Sequence, residues 1–173
     1  MSGTPRLVYF GMHGVYSTTL LRALIASGLA PALVVVGVEK PRLLRGPLIR
    51  VLPARPTFWQ RLGGHTPGGT PAAPSVTDLA EVAHGEGIDV VLTDDPDVLP
   101  VRAEIHGAHP ELLVVGGFPR LLSPRVLTLA PKGGLNVHPG RLPAERGPAP
   151  VFWALKNGHT RVGVTVHALD AGE

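Results

Sequence analysis

The feature that most constrains the fold of this chain is a β-α-β pattern in its N-terminal part. Leu7–Phe10 is a short apolar run, apolar residues recur at helical spacing between positions 20 and 25, and Ala32–Val38 is a second apolar run. A run that is apolar at every position is typical of a strand buried on both faces of a sheet. Such strands alternating with helices predict a parallel sheet with right-handed crossovers and a ligand crevice at the strands' carboxyl ends.

The same alternation continues along the chain and predicts one α/β domain over residues 1–173 with a mostly parallel sheet. Further strands are predicted at Ile88–Leu92, Leu112–Val115, Leu135–Val137 and Val162–Ala168. Helices are predicted at Val76–Glu86, Val98–Gly107, from Pro124, and at Ala149–Lys156, where Asn157 and Gly158 end the helix.

A long excursion at about 41–75 interrupts this pattern. Its first part is basic and holds apolar residues between positions 43 and 51, which indicate a short helix or strand, whereas the Pro- and Gly-rich part at 63–74 is expected to be flexible. The cations are Lys40, Arg42, Arg45, Arg50, Arg55 and Arg61, and Glu39 is the single acid between positions 38 and 61. They indicate either a surface for a phosphate-rich partner or a solvated Arg-rich face, and we favour the second.

Several classes of protein are excluded or disfavoured by composition and motifs. The chain has no Cys, so disulfide and thiolate chemistry are excluded. No apolar stretch approaches the length of a membrane span, and no export signal precedes the first strand, which favours a cytoplasmic protein without a membrane partner. A complete dinucleotide-binding glycine motif, a P-loop and a nucleophile elbow are absent from the sequence.

The strongest chemical signal is the triplet from Asn136 to His138. Residues two apart on a strand point to the same face, so these two side chains project together at the carboxyl end of their strand. An Asn amide can stabilise developing negative charge on a carbonyl oxygen, and a neighbouring His can move a proton near neutral pH. Pro139, Gly140 and Pro143 then predict an irregular loop with backbone groups available to a ligand.

The sequence around this triplet resembles a known family. Asn-x-His-Pro is followed by Leu-Pro, Arg-Gly-Pro-x-Pro, Trp-Ala-Leu, Asn-Gly and Gly-Val-Thr-x-His, and it is preceded by GGFPRLLSP. This series resembles the 10-formyltetrahydrofolate-dependent formyltransferases, the superfamily of methionyl-tRNA, glycinamide ribonucleotide and sugar-nucleotide formyltransferases. The resemblance implies a Rossmann-like, doubly wound domain that transfers a formyl group from 10-formyltetrahydrofolate to an amine, without a metal.

The resemblance also implies roles for individual residues. Asn136 and His138 match the catalytic Asn and His of the family. The residues implied to contact the folate are Pro119, Arg120, Leu121, Leu122, Gly140, Arg141, Leu142 and Pro143, with Asp170 at the start of an acidic turn.

The acidic turn is where the sequence departs from the family pattern, which is Asp-x-Gly-x-Asp with the catalytic acid second. Asp170 to Glu173 match only the first four positions, so the catalytic carboxylate is expected one position beyond Glu173. The fold is accordingly expected to be incomplete at the C-terminal end. The alternative hypothesis is therefore a truncated, inactive fragment that binds folate or a partner.

The acceptor is left open between two classes. A small amine or aminosugar nucleotide is slightly favoured over methionyl-tRNA, with His13, Tyr16 and Arg146 as candidate acceptor-binding residues. For Arg141 and Arg146 a phosphate contact and a purely loop-flanking position are equally consistent with the sequence. His167 and Asp170 could form a pair of metal ligands, but the sequence offers no third ligand at a suitable spacing. We therefore interpret His167 as a histidine on the sheet surface. The sequence does not define an oligomeric state.

Overall fold

The computed structural model describes residues 3–39, 46–53 and 78–170, and this part of the chain forms one seven-stranded sheet flanked by helices. The strands are β1 (Leu7–Met12), β2 (Leu33–Gly37), β3 (Ile49–Leu52), β4 (Asp89–Thr93), β5 (Leu112–Gly116), β6 (Gly134–His138) and β7 (Thr165–Leu169). The helices are α1 (Val15–Ala26), α2 (Leu79–Gly85), α3 (Leu99–Gly107), α4 (Pro124–Leu127) and α5 (Pro150–Lys156).

The strand order is β3-β4-β2-β1-β5-β6-β7. The five inner strands pair in parallel, and the two edge strands, β3 and β7, are antiparallel to their neighbours. The chain passes outward from β1 to β2 and β4, then returns to the other side of β1 at β5. The direction of winding therefore reverses between β1 and β5, and the crevice of a doubly wound sheet is expected at the carboxyl ends of these strands.

The two faces of the sheet carry separate apolar clusters, as the alternation of side chains along a strand requires. One cluster, the α1 face, contains Tyr9, Val34, Val90 and Leu79 together with partners on α1 and α2. The other cluster, the α3 face, packs strand residues against helices α3 and α4. Its members include Phe10, Val35, Val91, Ile105, Leu113, Val115 and Val126. Burial on both faces explains why β1 and β2 are apolar at nearly every position.

The predicted α/β fold with a mostly parallel sheet is confirmed. The strands and helices predicted from apolar runs agree with the structure to within a few residues. Among the larger differences, β7 begins at Thr165, three positions after the predicted start at Val162, and α1 begins at Val15, five positions before the apolar residues that predicted it. In the basic part of the excursion, where the sequence predicts either a short helix or a strand, the structure has a strand, β3. Arg50 is exposed on this strand.

Other predictions for the excursion fall on residues that the structure does not describe. The expected flexibility at 63–74 lies outside the described residues, as do Lys40, Arg42, Arg45, Arg55 and Arg61. Among the helices of the described residues, none combines the length and apolar character needed to cross a membrane.

Candidate active site

The Asn/His pair lies on β6, the last of the parallel strands. Asn136 pairs with Val115 of β5, a residue of the α3-face cluster, so Asn136 and His138 both project to the α3 face. Val137 between them packs on the α1 face. Both polar side chains are half-buried, as a site that excludes bulk water but admits a ligand requires. The predicted projection of the pair to one side of the sheet is therefore present.

A histidine on the neighbouring edge strand orients Asn136. Its register partner on β7 is His167, whose Nε2 lies 3.1 Å from Nδ2 of Asn136. Nδ1 of His167 lies 2.9 Å from the main-chain oxygen of Ala168, and a carbonyl can only accept, so Nδ1 carries the proton. Nε2 of the neutral ring then accepts from the amide. This contact fixes which end of the Asn136 amide faces β7.

From the sequence alone, His167 is predicted to be a histidine on the sheet surface, outside the site. Its side chain is half-buried and not an isolated surface histidine, although it stands on an edge strand. The signal that would have found it is the antiparallel register of β6 and β7, which pairs Asn136 with His167 and His138 with Thr165. A sequence with no turn motif between two strands does not specify that register.

His138 is held by the loop that follows its own strand. Its Nε2 lies 2.7 Å from the main-chain oxygen of Glu145, so Nε2 carries a proton in this arrangement. Gly140 lies beside this contact, and a Cβ added there would stand 3.0 Å from His138 Nε2 and 2.9 Å from the Glu145 oxygen. The tight space at Gly140 therefore restricts the imidazole to a position in which its Nε2–H donates to the Glu145 oxygen.

The loop after His138 is closed by its own backbone and side chains. The main-chain N–H of Glu145 donates to the Arg141 oxygen at 2.8 Å, and the Arg141 N–H donates to Oε2 of Glu145 at 2.7 Å. Thr165 of β7 adds a bridge, since its hydroxyl donates to the Gly140 oxygen at 2.7 Å and accepts from the Leu142 N–H at 3.2 Å. The irregular loop predicted at Gly140–Pro143 is thus ordered, and its Leu142–Pro143 peptide bond is cis.

Tyr16 joins the Asn/His strand to the point where the winding reverses. Its hydroxyl donates to the main-chain oxygen of Val137 at 2.5 Å, and its ring lies against Gly117, at the end of β5. Burial raises the pKa of the phenol, which therefore stays protonated and donates at neutral pH. Of the candidate acceptor-binding residues, Tyr16 is the one that contacts β6.

His13 lies in the same turn but contacts a different part of the molecule. Its Nδ1 is 3.2 Å from Oδ1 of Asp78, the residue that caps α2 by accepting the Glu81 N–H. The His13 ring is partly exposed at the carboxyl end of β1. The structure thus places His13 at the predicted edge of the sheet, while the residue it contacts, Asp78, caps a helix of the α1 face.

The segment 117–123 lies at the end of β5, as the implied folate loop requires. Phe118 packs edge-on against Phe10 with ring centroids 5.4 Å apart. Pro119 lies so close to Gly37 that any Cβ there would overlap it, at 2.4 Å. Arg120 and Leu121 are exposed, Leu121 to 89%, whereas Leu122 is buried. Pro119 is exposed as well, so residues 119–121 form an exposed stretch between the half-buried Phe118 and the buried Leu122.

Arg141 and Arg146 are both exposed, at the two ends of the loop after His138. Arg146 borders a shallow cavity of about 290 Å³ together with Trp153 and Asn157. The stem of Arg141 packs on Gly163, which precedes β7. Their predicted contacts with a ligand stay predictions.

Asp170 is not brought to this cluster. It is exposed and follows Leu169, which pairs with Gly134 at the amino end of β6, whereas His138 stands at the carboxyl end. Its predicted contact with folate therefore stays a prediction that this geometry does not support. Within residues 3–39, 46–53 and 78–170, no three His, Asp or Glu side chains stand together in a way that could bind a metal.

The comparisons with known proteins all find formyltransferases. Residues 93–173 match the model of the formyl transferase family. Methionyl-tRNA formyltransferase from Anaeromyxobacter dehalogenans is 38% identical over 90 residues, covering 52% of this chain and 29% of that protein. The enzyme of the same name from Syntrophus aciditrophicus is 44% identical over 78 residues, covering 45% of this chain and 24% of that protein. The chain thus spans less than a third of these relatives.

Among solved structures, glycinamide ribonucleotide transformylase 1 from Symbiobacterium toebii has a TM-score of 0.63. It is 20% identical in sequence, and the match covers 99% of this chain and 69% of that chain. A likeness at this identity establishes the fold.

Fold and site together define a Rossmann-like α/β protein with an Asn/His pair on one face of β6, toward the carboxyl end of that strand. Residues 93–173 are thus similar to the formyl transferase family, both by the family match and by the methionyl-tRNA formyltransferases reported above. The resemblance inferred from the sequence is confirmed.

Proposed function

We propose that this chain transfers a formyl group from 10-formyltetrahydrofolate to an acceptor amine. The observation that carries the proposal is the Asn136 amide, oriented by His167 at 3.1 Å and placed two residues before His138 on one face of β6. A fixed neutral N–H donor next to a histidine is an arrangement suited to the tetrahedral stage of acyl transfer.

The chemistry follows from these two side chains. The amine nitrogen attacks the formyl carbon, and the negative charge that develops on the formyl oxygen is stabilised by the amide of Asn136. The bond from the formyl carbon to the folate nitrogen then breaks, the amine loses a proton and the folate nitrogen gains one. His138 is the group placed to carry that proton, because imidazole exchanges protons near neutral pH.

The folate is proposed to lie along 117–122, against the loop at Gly140–Pro143. Support comes from Pro119, Arg120 and Leu121, which form an exposed stretch before the buried Leu122. Both segments follow strands that end at the crevice edge, β5 and β6. A flat pterin ring bound through main-chain groups would enter beside the Asn/His pair.

For the acceptor we propose a small amine, including aminosugar nucleotides. The support is that Arg141 and Arg146 are exposed in the segment that follows His138, where their guanidinium groups can meet a phosphate group. Methionyl-tRNA is the second candidate, since the similar relatives carry the name methionyl-tRNA formyltransferase.

The test is formyl transfer from 10-formyltetrahydrofolate to a panel of amines and to methionyl-tRNA, with folate binding measured in parallel. We expect Asn136→Ala to lower kcat by roughly 10²–10³-fold, the effect of removing one oxyanion donor. His138→Ala should be at least as damaging. His106→Ala is the matched control, because the His106 side chain is exposed in the last turn of α3.

Two results would contradict the proposal. Turnover that survives His138→Ala would remove the histidine from the mechanism. Folate binding without turnover on any acceptor would favour the alternative, a chain that binds folate or a partner without catalysis.

A further inference from the structure

One acidic side chain makes contacts that converge on His138. The Glu145 carboxylate accepts the Arg141 N–H through Oε2 at 2.7 Å, and its Oε1 lies 3.2 Å from Nδ1 of His159. Its side chain is only 9% exposed. The main-chain oxygen of the same residue is the group that accepts from Nε2 of His138 at 2.7 Å. Side chain and backbone of Glu145 therefore belong to one connected network.

We propose that Glu145 is a positioning residue, whose carboxylate closes the 141–145 turn and so places its own carbonyl oxygen against His138. The proposal deepens the proposed function and rests on it, because it concerns the histidine assigned to proton transfer. Glu145 itself does not touch the reacting atoms in this arrangement. It acts through the position and the tautomer of the His138 ring.

The closure depends on two reciprocal hydrogen bonds. The Glu145 N–H binds the Arg141 oxygen, and the Arg141 N–H binds the Glu145 carboxylate, so the ends of the turn are tied in both directions. A hydrogen bond to an ionised carboxylate is about twice as strong as one between neutral groups. The side chain therefore ties the turn more firmly than the backbone bond alone would.

The charge state of Glu145 favours this role at neutral pH. The Arg141 N–H, and then His159, lower the pKa of the carboxyl below its ordinary value. A lowered pKa means that the carboxylate stabilises the fold above the ordinary pKa of glutamate, and that this stabilisation is lost as the pH falls through the lowered value. The charged or titratable groups facing it are His159, Arg141 and Arg146, with the His138 ring on its backbone side.

The geometry leaves little room for the loop to move without moving the ring. A Cβ added to Gly140 would stand 3.0 Å from His138 Nε2 and 2.9 Å from the Glu145 oxygen, so there is no free space beside this hydrogen bond on the Gly140 side. A carbonyl displaced from Nε2 no longer selects the Nε2–H tautomer, and the other ring nitrogen can then hold the proton. Misplacement of about 1 Å at a catalytic group can cost up to 10²-fold in rate.

The experiment compares Glu145→Ala and Glu145→Gln with the unmodified chain, using ¹⁵N-labelled histidine and formyl-transfer kinetics. The main-chain acceptor is present in every variant, so only its position can change. For Glu145→Ala we expect the His138 signals to move from the Nε2–H tautomer toward a mixture, and kcat to fall about tenfold with KM changed less than twofold. Glu145→Gln keeps an oxygen for the Arg141 N–H and should give a smaller change of the same kind.

Glu111→Ala is the matched control. Glu111 also accepts a main-chain N–H, from Arg6 at 3.2 Å, and pairs with Lys132 at 2.6 Å, but it precedes β5 at the opposite end of the sheet. Its pKa is lowered by the same kinds of contact, first by Lys132. We expect it to leave the His138 signals unchanged.

The outcomes separate the two proposals. If both Glu145 variants keep the His138 tautomer of the unmodified chain, the positioning role is overturned, whatever their activity. If the His138 signals change while no acceptor is formylated by any form of the chain, the positioning role stands and the proposed function fails. If Glu145→Ala does not fold, Glu145→Gln decides by the same histidine signals.

Discussion

There is no room for a side chain at Gly140, because even a methyl group there would displace the imidazole of His138. The φ angle of Gly140 is not positive, so the constraint there is space and not backbone strain. Its neighbours are the Nε2 of His138 and the main-chain oxygen of Glu145, which are themselves hydrogen-bonded. An added Cβ must therefore push apart the two atoms that hold the imidazole in place.

We predict that Gly140→Ala lowers kcat by about 10- to 100-fold, because His138 loses its position. The free energy of unfolding should fall by about 1–3 kcal/mol, the usual cost of overpacking. Formyl-transfer kinetics and denaturant unfolding measure the two effects. Gly107→Ala is the control, since nothing lies within 4 Å of a Cβ at that helical glycine, and it should leave kcat unchanged. Equal activity of the two variants would show that the space around His138 is not limiting.

At the scale of the element, β6 and β7 show what a sequence can and cannot predict. The position of Asn136 and His138 on one face follows from the period of two along any strand, so it needs no knowledge of neighbours. The contact between Asn136 and His167 depends on how β7 pairs with β6, and no short turn fixes that register from the sequence. The resemblance to a family could name the Asn and His, but not the residue that orients the Asn.

The same limit explains the loop after β6. Pro139, Gly140 and Pro143 predict that the chain leaves regular structure, and it does. The hydrogen bonds that order it come from Glu145 and from Thr165 on β7. In the sequence, Glu145 looks like an ordinary surface acid, and Thr165 lies twenty residues further along the chain. Neither carries a local signal that distinguishes it from an ordinary polar residue.

The hydroxyl of Tyr16 links helix α1 to the end of strand β6, and its removal is predicted to loosen that link. Tyr16→Phe removes the donor to the Val137 oxygen at 2.5 Å and keeps the ring against Gly117. We expect the free energy of unfolding to fall by about 0.5–1.5 kcal/mol, and hydrogen exchange at the carboxyl end of β6 to become faster. Thr19→Ala, an exposed hydroxyl deletion on the same helix, should stay within about 0.5 kcal/mol of the original. Unchanged exchange in Tyr16→Phe would mean that the bond does not restrain β6.

At the scale of the whole molecule, the site depends on a sheet that is covered on both faces. The α3 face, which carries Asn136 and His138, is covered by α3 and α4 through residues such as Ile105 and Val126, both fully buried. The α1 face is covered by α1 and α2. β6 is the last strand but one in the sheet. Its position therefore depends on its pairing with β5, and on the packing that holds β5 and β1 in place.

The last prediction concerns that packing. Ile105→Ala deletes a fully buried side chain of α3 from the cluster beneath the site, whereas Leu99→Ala shortens a side chain of the same helix that is 71% exposed. We expect Ile105→Ala to lower the free energy of unfolding by about 2–5 kcal/mol, through lost burial and the cavity left behind. Leu99→Ala should change it by less than about 0.5 kcal/mol. Urea unfolding of both variants measures the difference, and comparable losses would contradict the assignment of Ile105 to the apolar cluster on the α3 face.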